Sequence, residues 1–157
     1  MERRDFLHTA SSVGLVAALA PWFGMGDAEA SGGPETLEEG LRDDDLIYLS
    51  TRRKSGQWSS PAPIWFWYNN NRIYFTCSPD SWKGKRLKEA GPVRIRVGTD
   101  DGPEISGEAT RIYDLDLVDT LGEAWSKKYW IAWLGLFRPR RDRIETGKTW
   151  AYQVKVS

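Results

Sequence analysis

The chain has 157 residues, of which 40% are hydrophobic, enough for one domain with an apolar core and too few for two full domains. Its 22 basic residues balance 22 acidic ones, so the formal charge is zero and we expect no nucleic-acid partner. The single cysteine, Cys77, excludes an intrachain disulfide and any site built from clustered thiolates, and we expect no metal site.

Residues 1–30 have the pattern of an export leader. An apolar run over residues 13–20 precedes residues 28–30 (AEA), the small-x-small pattern of a signal peptidase site. Residues 3–7 (RRDFL) resemble a twin-arginine signal, so we expect the twin-arginine export machinery as a partner and a periplasmic or extracellular location. A membrane anchor is the disfavoured alternative, because the apolar run is shorter than the ~20 residues that span a bilayer.

A single domain is predicted after the leader. Residues 31–40 contain two glycines and a proline, so we predict a flexible linker there and one domain over residues 41–157. The only histidine, His8, belongs to the leader, and its removal argues against histidine-dependent catalysis and against histidine ligation of zinc or haem.

Six antiparallel strands are predicted in the domain. Three β-prone runs, over residues 46–51, 60–68 and 73–76, form a meander because a polar glycine-containing turn and a run of asparagines separate them. Further strands are predicted, with a bulge near Gly107 in the second, over residues 93–97, 104–113 and 149–156. Antiparallel strands of this kind favour closure into a small barrel, because closure removes exposed edges.

Two helices are predicted between the strands. A short basic helix over residues 81–90 begins at a cap-like Ser81 and is stopped by Gly91 and Pro92. A longer helix runs from Asp116 to about residue 136 and carries a stripe of large apolar side chains.

The order of these elements carries a resemblance. Residues 73–76 (IYFT), residues 81–87 (SWKGKRL) and the Pro92-Val93 pair together resemble the pyridoxamine 5′-phosphate oxidase-like family, over about residues 41–157. The resemblance implies a mainly β fold with α-helices, a six-stranded antiparallel split β-barrel of the FMN-binding type. It also implies a homodimer that binds FMN and transfers hydride to or from a small organic substrate.

The predicted phosphate site lies at the start of the short helix. Lys83 is in its first turn, with the hydroxyls of Thr76 and Ser81 nearby, a favourable arrangement for a phosphate group. The resemblance implies that Lys83 contacts the FMN phosphate and that residues 61–65 lie against the ring. The predicted cofactor-binding residues are Arg52, Ser60, Ala62, Ile64, Thr76, Ser81, Lys83 and Arg86. The alternative is that the basic side chains only form the solvated face of an amphipathic helix.

Two departures from the family pattern limit the activity. Trp82 stands where true pyridoxamine phosphate oxidases commonly carry an arginine, so a second cation must come from elsewhere. The last strand, residues 148–157, lacks the histidine and arginine that hold the vitamin substrate, which excludes a true pyridoxamine phosphate oxidase. No catalytic side chain is predicted, because the cofactor performs the hydride transfer.

Alternatives remain open for the cofactor and the function. The basic turn of residues 52–54 and the basic helix together form a groove for an acidic cofactor tail, which suits the deazaflavin F420 as well as FMN. A non-catalytic carrier of flavin, haem or an apolar ligand is a second function. A third is a tryptophan-lined module that binds carbohydrate or envelope surfaces through Trp58, Trp65 and Trp67. Residues 125–143, aromatic and then arginine-rich, fit either peripheral membrane contact or a subunit interface.

Overall fold

The computed structural model describes residues 36–130 and 138–156. The predicted leader, residues 1–30, lies outside this part of the chain, as does part of the 125–143 segment. Within the described residues, no helix is both long and apolar enough to cross a bilayer.

Four helices and seven strands are present among the described residues. In chain order they are α1 (Leu37–Asp43), β1 (Ile47–Thr51), β2 (Ala62–Ile64), β3 (Trp67–Asn69), β4 (Arg72–Cys77), α2 (Trp82–Leu87), β5 (Ala90–Val97), β6 (Glu104–Ile112), α3 (Leu115–Lys128), α4 (Arg141–Glu145) and β7 (Trp150–Lys155). The strands form one antiparallel sheet in the order β2-β1-β5-β6-β7-β4-β3. The mainly β, antiparallel prediction is confirmed.

The sheet has seven strands where six were predicted. The predicted strand over residues 60–68 is divided into β2 and β3, which lie at opposite ends of the sheet. Between them, the Phe66 N–H donates to Tyr129 Oη at 3.0 Å, and Lys128 Nζ donates to the Phe66 carbonyl at 3.3 Å. Because Lys128, the last residue of α3, and the following Tyr129 satisfy the N–H and the carbonyl of Phe66, the chain can leave the sheet there. The sheet curls into a half-barrel, and its two end strands do not pair with each other.

The helix boundaries also differ from those predicted. A capping box between Thr36 and Glu39 begins α1, so part of the predicted linker over residues 31–40 is helical. Helix α2 ends at Leu87 because Lys88 adopts a φ of 51°, and Gly91 and Pro92 pair with β6 inside β5 instead of stopping the helix. Helix α3 begins at its Asp114 cap, and its last residue is Lys128.

The predicted bulge at Gly107 is absent, and a different constraint explains the glycine. The β5–β6 register is continuous through the Val93–Gly107 pair. A Cβ on Gly107 would lie 2.8 Å from Val154 Cγ1 of β7, so the position requires a close approach between strands.

Two groups of buried side chains hold the unit together. The larger lies in the curve of the sheet and includes Leu49, Phe66, Phe75, Ile95 and Tyr152. The smaller joins α3 to the sheet and includes Tyr74, Leu121, Trp125 and Tyr129. These buried residues therefore fix the positions of the loops and short helices that surround the sheet.

Candidate functional site

A groove of about 620 Å³ lies between the loop after β1 and helix α2. Six of its eight lining side chains are cationic, and none is a carboxylate. The residues that line this basic groove are Arg52, Arg53, Lys54, Ser55, Trp82, Lys85, Arg86 and Lys88.

The loop wall of the groove is built by a tight turn after β1. The Arg53 N–H donates to the Gln57 carbonyl at 2.8 Å, and the Gly56 N–H donates back to the Arg53 carbonyl at 2.9 Å. Gly56 has a φ of +86°, a conformation that glycine adopts without strain. Arg52 Nε donates to the Gly56 carbonyl at 3.1 Å, so the guanidinium is held against the turn.

The helix wall begins at a well-capped end. Ser81 Oγ accepts a bond from the Gly84 N–H at 3.1 Å and donates to the Ser78 carbonyl at 2.7 Å. A Cβ on Gly84 would lie 2.5 Å from the Ser78 carbonyl oxygen, so only glycine lets α2 lie this close to the preceding loop.

Trp82 is the flat, exposed element of the helix wall. Its side chain is 71% exposed. Lys85 Nζ lies 5.3 Å from the centroid of its ring, and Arg86 Cζ lies 5.6 Å from it, both within cation–π distance. The indole thus occupies the position where the sequence lacks the family's arginine, and two later cations gather over its ring.

One hydrogen bond ties the two walls together. Arg86 Nη1 donates to Thr51 Oγ1 at 3.2 Å, and Thr51 is a buried residue at the end of β1. This contact brings two of the predicted cofactor-binding residues, Arg52 and Arg86, into one groove.

Lys88 reaches the groove through an unusual backbone conformation. Its φ of 51° and ψ of −113° are unfavourable for a residue with a side chain. The turn is held by the buried Tyr152, whose hydroxyl donates to the Lys88 carbonyl at 2.7 Å. It is also held by the ion pair between Arg111 and Glu89, at 2.6 Å. The sequence predicted Lys88 as an ordinary helical residue and contains no local signal for this turn.

The other predicted phosphate contacts lie away from the basic groove. Lys83 and Ser81 are half-buried and do not line it. Both act on Cys77: burial raises the pKa of its thiol, while the hydrogen bond from Ser81 and the charge of Lys83 oppose that rise. Thr76 precedes Cys77 in β4, which is separated from β1 by three strands in the sheet order. The predicted set therefore divides between the groove and the surroundings of Cys77.

The predicted ring-contacting residues lie at the edge of the sheet. Ala62 and Ile64 are in β2, where they pair with Leu49 and Ile47 of β1. Ile64 packs against the core, so the face that it shares with Ala62 points inwards. Ser60 is exposed and precedes the strand.

Several solved structures are similar to this protein in fold. No protein-family model matches the chain, and no curated protein matches its sequence. A candidate 5-nitroimidazole antibiotic resistance protein from Bacteroides thetaiotaomicron is 13% identical, with a TM-score of 0.55 over 77% of this chain and 78% of that chain. A candidate pyridoxamine 5′-phosphate oxidase from Listeria innocua is 15% identical, with a TM-score of 0.50 over 70% and 82%.

A third similar structure is named for a different ligand. The haem storage protein HutZ from Vibrio cholerae is 9% identical, with a TM-score of 0.52 over 77% of this chain and 87% of that chain. At these identities the similarity concerns the fold. The fold is that of the pyridoxamine phosphate oxidase-like split-barrel proteins. The three similar proteins are named for different activities or ligands, so the shared fold does not define a function.

Proposed function

We propose that this protein is an exported, homodimeric split-barrel flavoprotein that uses FMN, or alternatively F420, to transfer hydride to or from a small organic molecule. The basic groove holds the anionic tail of the cofactor. The observation that carries the proposal is the convergence of six cations, without a carboxylate, on one groove.

The lining residues fit an anionic cofactor tail. Like charges that share a groove repel one another, and an anion placed between them removes that cost. The groove volume of about 620 Å³ lies in the range typical of small-molecule sites. FMN has a single phosphate and F420 a longer acidic tail, and cations along both walls are suited to either.

Three residues of the groove have distinct roles in this proposal. Arg86, oriented by Thr51, and Arg52, oriented by the Gly56 carbonyl, present guanidinium groups that bind phosphate oxygens in pairs. Trp82 offers an exposed aromatic face beside them. The bound flavin supplies the hydride chemistry, and the protein holds and orients it.

The two competing placements of the phosphate are distinguishable. The sequence favoured Lys83, with Thr76 and Ser81, whereas the groove favours Arg86 and Arg52. In α2 the Ser81 hydroxyl already caps the helix and donates to Ser78, which leaves it less available to a ligand. We therefore assign the tail to the groove and keep Lys83 as the comparison variant.

A titration of the purified protein with FMN and with F420 tests the proposal. Arg86→Ala is expected to weaken binding about tenfold or more, because charge-assisted hydrogen bonds contribute about 1.5 to 3 kcal/mol. Lys148→Ala, which removes an exposed cation outside the groove, is the matched control and is expected to bind as the parent does. If neither cofactor binds, the proposed function is wrong. If only Lys83→Ala weakens binding, the assignment to the groove is wrong.

A further inference from the structure

A second concavity lies at the other end of the sheet, beside the edge strand β3. It has a volume of about 430 Å³, is open to solvent and is bordered by α1, β3 and α3. The residues that line this α3 cavity are Leu41, Arg42, Trp67, Tyr68, Thr120, Glu123, Ala124, Lys127 and Lys128. It shares no lining residue with the basic groove.

The Lys128 amine is held in a fixed position at the wall of this cavity. Its Nζ donates to the Phe66 carbonyl at 3.3 Å and lies 3.5 Å from the centroid of the Phe66 ring. Phe66 is fully buried. Burial lowers the pKa of the Lys128 amine to about 8, although the charges of Asp45 and Asp44 act in the opposite direction.

The amine lacks the ion pair that normally keeps a lysine charged. In the part of the chain that the structure describes, no carboxylate lies within 4.0 Å of Lys128 Nζ. Asp44 and Asp45 precede β1, and Asp44 Oδ2 is buried without a hydrogen-bond partner. Glu123 lies five residues earlier on α3 and lines the same cavity. The nearby charges therefore only partly offset the burial of the amine.

We propose that Lys128 is a nucleophilic amine that forms an imine with an aromatic aldehyde bound in the α3 cavity. The Nζ lone pair attacks the aldehyde carbon and a carbon–nitrogen bond forms. The carbonyl oxygen leaves as water, with two protons that come from the nitrogen. The condensation needs no oxidant or reductant, because the carbon–oxygen double bond is replaced by a carbon–nitrogen double bond and only one molecule of water is lost.

The lining of the cavity indicates which aldehyde it takes. Trp67 and Tyr68 contribute aromatic surface to the lining, and Leu41 adds apolar surface from α1, which favours an aldehyde with an aromatic body. Arg42 and Lys127 bring two further cations to the lining, against the single carboxylate of Glu123, which favours an aldehyde with an anionic substituent.

Lys127 provides a matched control on the same helix. It precedes Lys128 and lines the same cavity, but its side chain is exposed. At about pH 7.5, roughly a quarter of amines with a pKa near 8 are neutral, against about one in a thousand ordinary lysine amines. The contrast between these neighbours isolates the effect of the site.

The test is reductive trapping with 4-formylbenzoate and cyanoborohydride on the intact protein, followed by peptide mass spectrometry. We expect the adduct to form on Lys128 at least tenfold faster than on Lys127. Lys128→Arg removes this fast adduct, and Lys127→Arg leaves it unchanged. Benzaldehyde, which lacks the carboxylate, reacts more slowly at Lys128 than 4-formylbenzoate does.

A second measurement separates the site from the intrinsic reactivity of the lysine. In concentrated urea the preference for Lys128 over Lys127 is expected to fall to about one, because both amines are then solvated alike. Equal labelling of the two lysines in the folded protein overturns the proposal, as does a preference that persists in urea. Neither result bears on the basic groove.

Discussion

The basic groove and the α3 cavity lie beside opposite ends of the same sheet, and they differ in how far their cationic side chains are exposed to solvent. The groove, between the loop after β1 and helix α2, keeps six cations close together, with an exposed indole among them. The cavity, beside β3, holds one lysine against a buried aromatic ring, and burial lowers the pKa of its amine to about 8. A crowded, solvated set of cations suits an anion, whereas a partly desolvated amine suits a neutral electrophile.

The difference follows from which elements form the walls. The groove is bounded by a turn and a six-residue helix, whose long cationic side chains reach solvent. The cavity is bounded by the fourteen-residue α3, which the smaller group of core residues fastens to the sheet. The groove cations therefore remain hydrated, whereas the Lys128 side chain is partly buried.

The largest expected effect comes from removing the side chain that fastens α3. Trp125 is 1% exposed, and Trp125→Ala is expected to lower the free energy of unfolding by about 3 to 5 kcal/mol. Trp82→Ala, at the exposed tryptophan of the groove, is expected to change it by less than about 0.5 kcal/mol. Urea denaturation measures both, and equal losses would contradict the contrast between the two regions.

A smaller effect is expected where α2 approaches the preceding loop. A Cβ at Gly84 overlaps the Ser78 and Pro79 carbonyl oxygens, so Gly84→Ala is expected to cost about 1 to 3 kcal/mol and to displace the helix wall of the groove. FMN affinity should fall with it.

Gly56→Ala is the control in the opposite wall. A Cβ there meets nothing within 4 Å, so only its positive φ of 86° is penalised, at about 1 kcal/mol. Thermal unfolding and FMN titration of both variants provide the comparison. A larger loss for Gly56→Ala than for Gly84→Ala would mean that contact with the loop does not position α2.

Lys88 has a strained backbone conformation and also contributes a cation to the basic groove. Lys88→Gly is expected to raise the free energy of unfolding by about 1 kcal/mol, because glycine accepts the positive φ without strain. The same variant loses a groove cation and should bind FMN more weakly. Lys88→Ala keeps the strain and loses the charge, so the two variants separate the effects. A lower free energy of unfolding in Lys88→Gly would show that the lysine side chain stabilises the turn.

The dependence of stability on pH concerns the Lys128 amine. Its pKa is lowered from 10.5 to about 8, so between these values the unfolded chain binds the extra proton and the folded chain does not. Stability should therefore rise as pH increases from about 8 to about 10.5, and the penalty for burying the charge is fully present below pH 8. Comparison with Lys128→Met isolates this slope. Identical slopes in the two proteins would mean that the folded amine titrates like a surface lysine.

Much of the sheet could be predicted because its pattern is local. In β5, Val93, Ile95 and Val97 are buried and alternate with partly exposed Arg94 and Arg96, as their spacing indicated. The break that creates a seventh strand was not predictable, because the Phe66 peptide is satisfied by Tyr129, 63 residues further along the chain. Local sequence carries no record of such a contact.

The candidate site could be predicted in part for similar reasons. The basic runs at residues 52–54 and along α2 pointed to a shared groove, and Arg52 and Arg86 do line one. The direction of Lys83 depends on which face of α2 packs against the sheet, where Gly84 and Leu87 are buried. The α3 cavity is lined by residues of three elements that are distant in sequence, so no local motif predicts it.

The most direct test of the central claim is a crystal structure of the protein with bound FMN. We expect the phosphate to lie in the basic groove, with its oxygens within hydrogen-bonding distance of the Arg86 and Arg52 guanidinium groups. A phosphate bound instead by Lys83, Ser81 and Thr76, with the groove filled only by water, would contradict it.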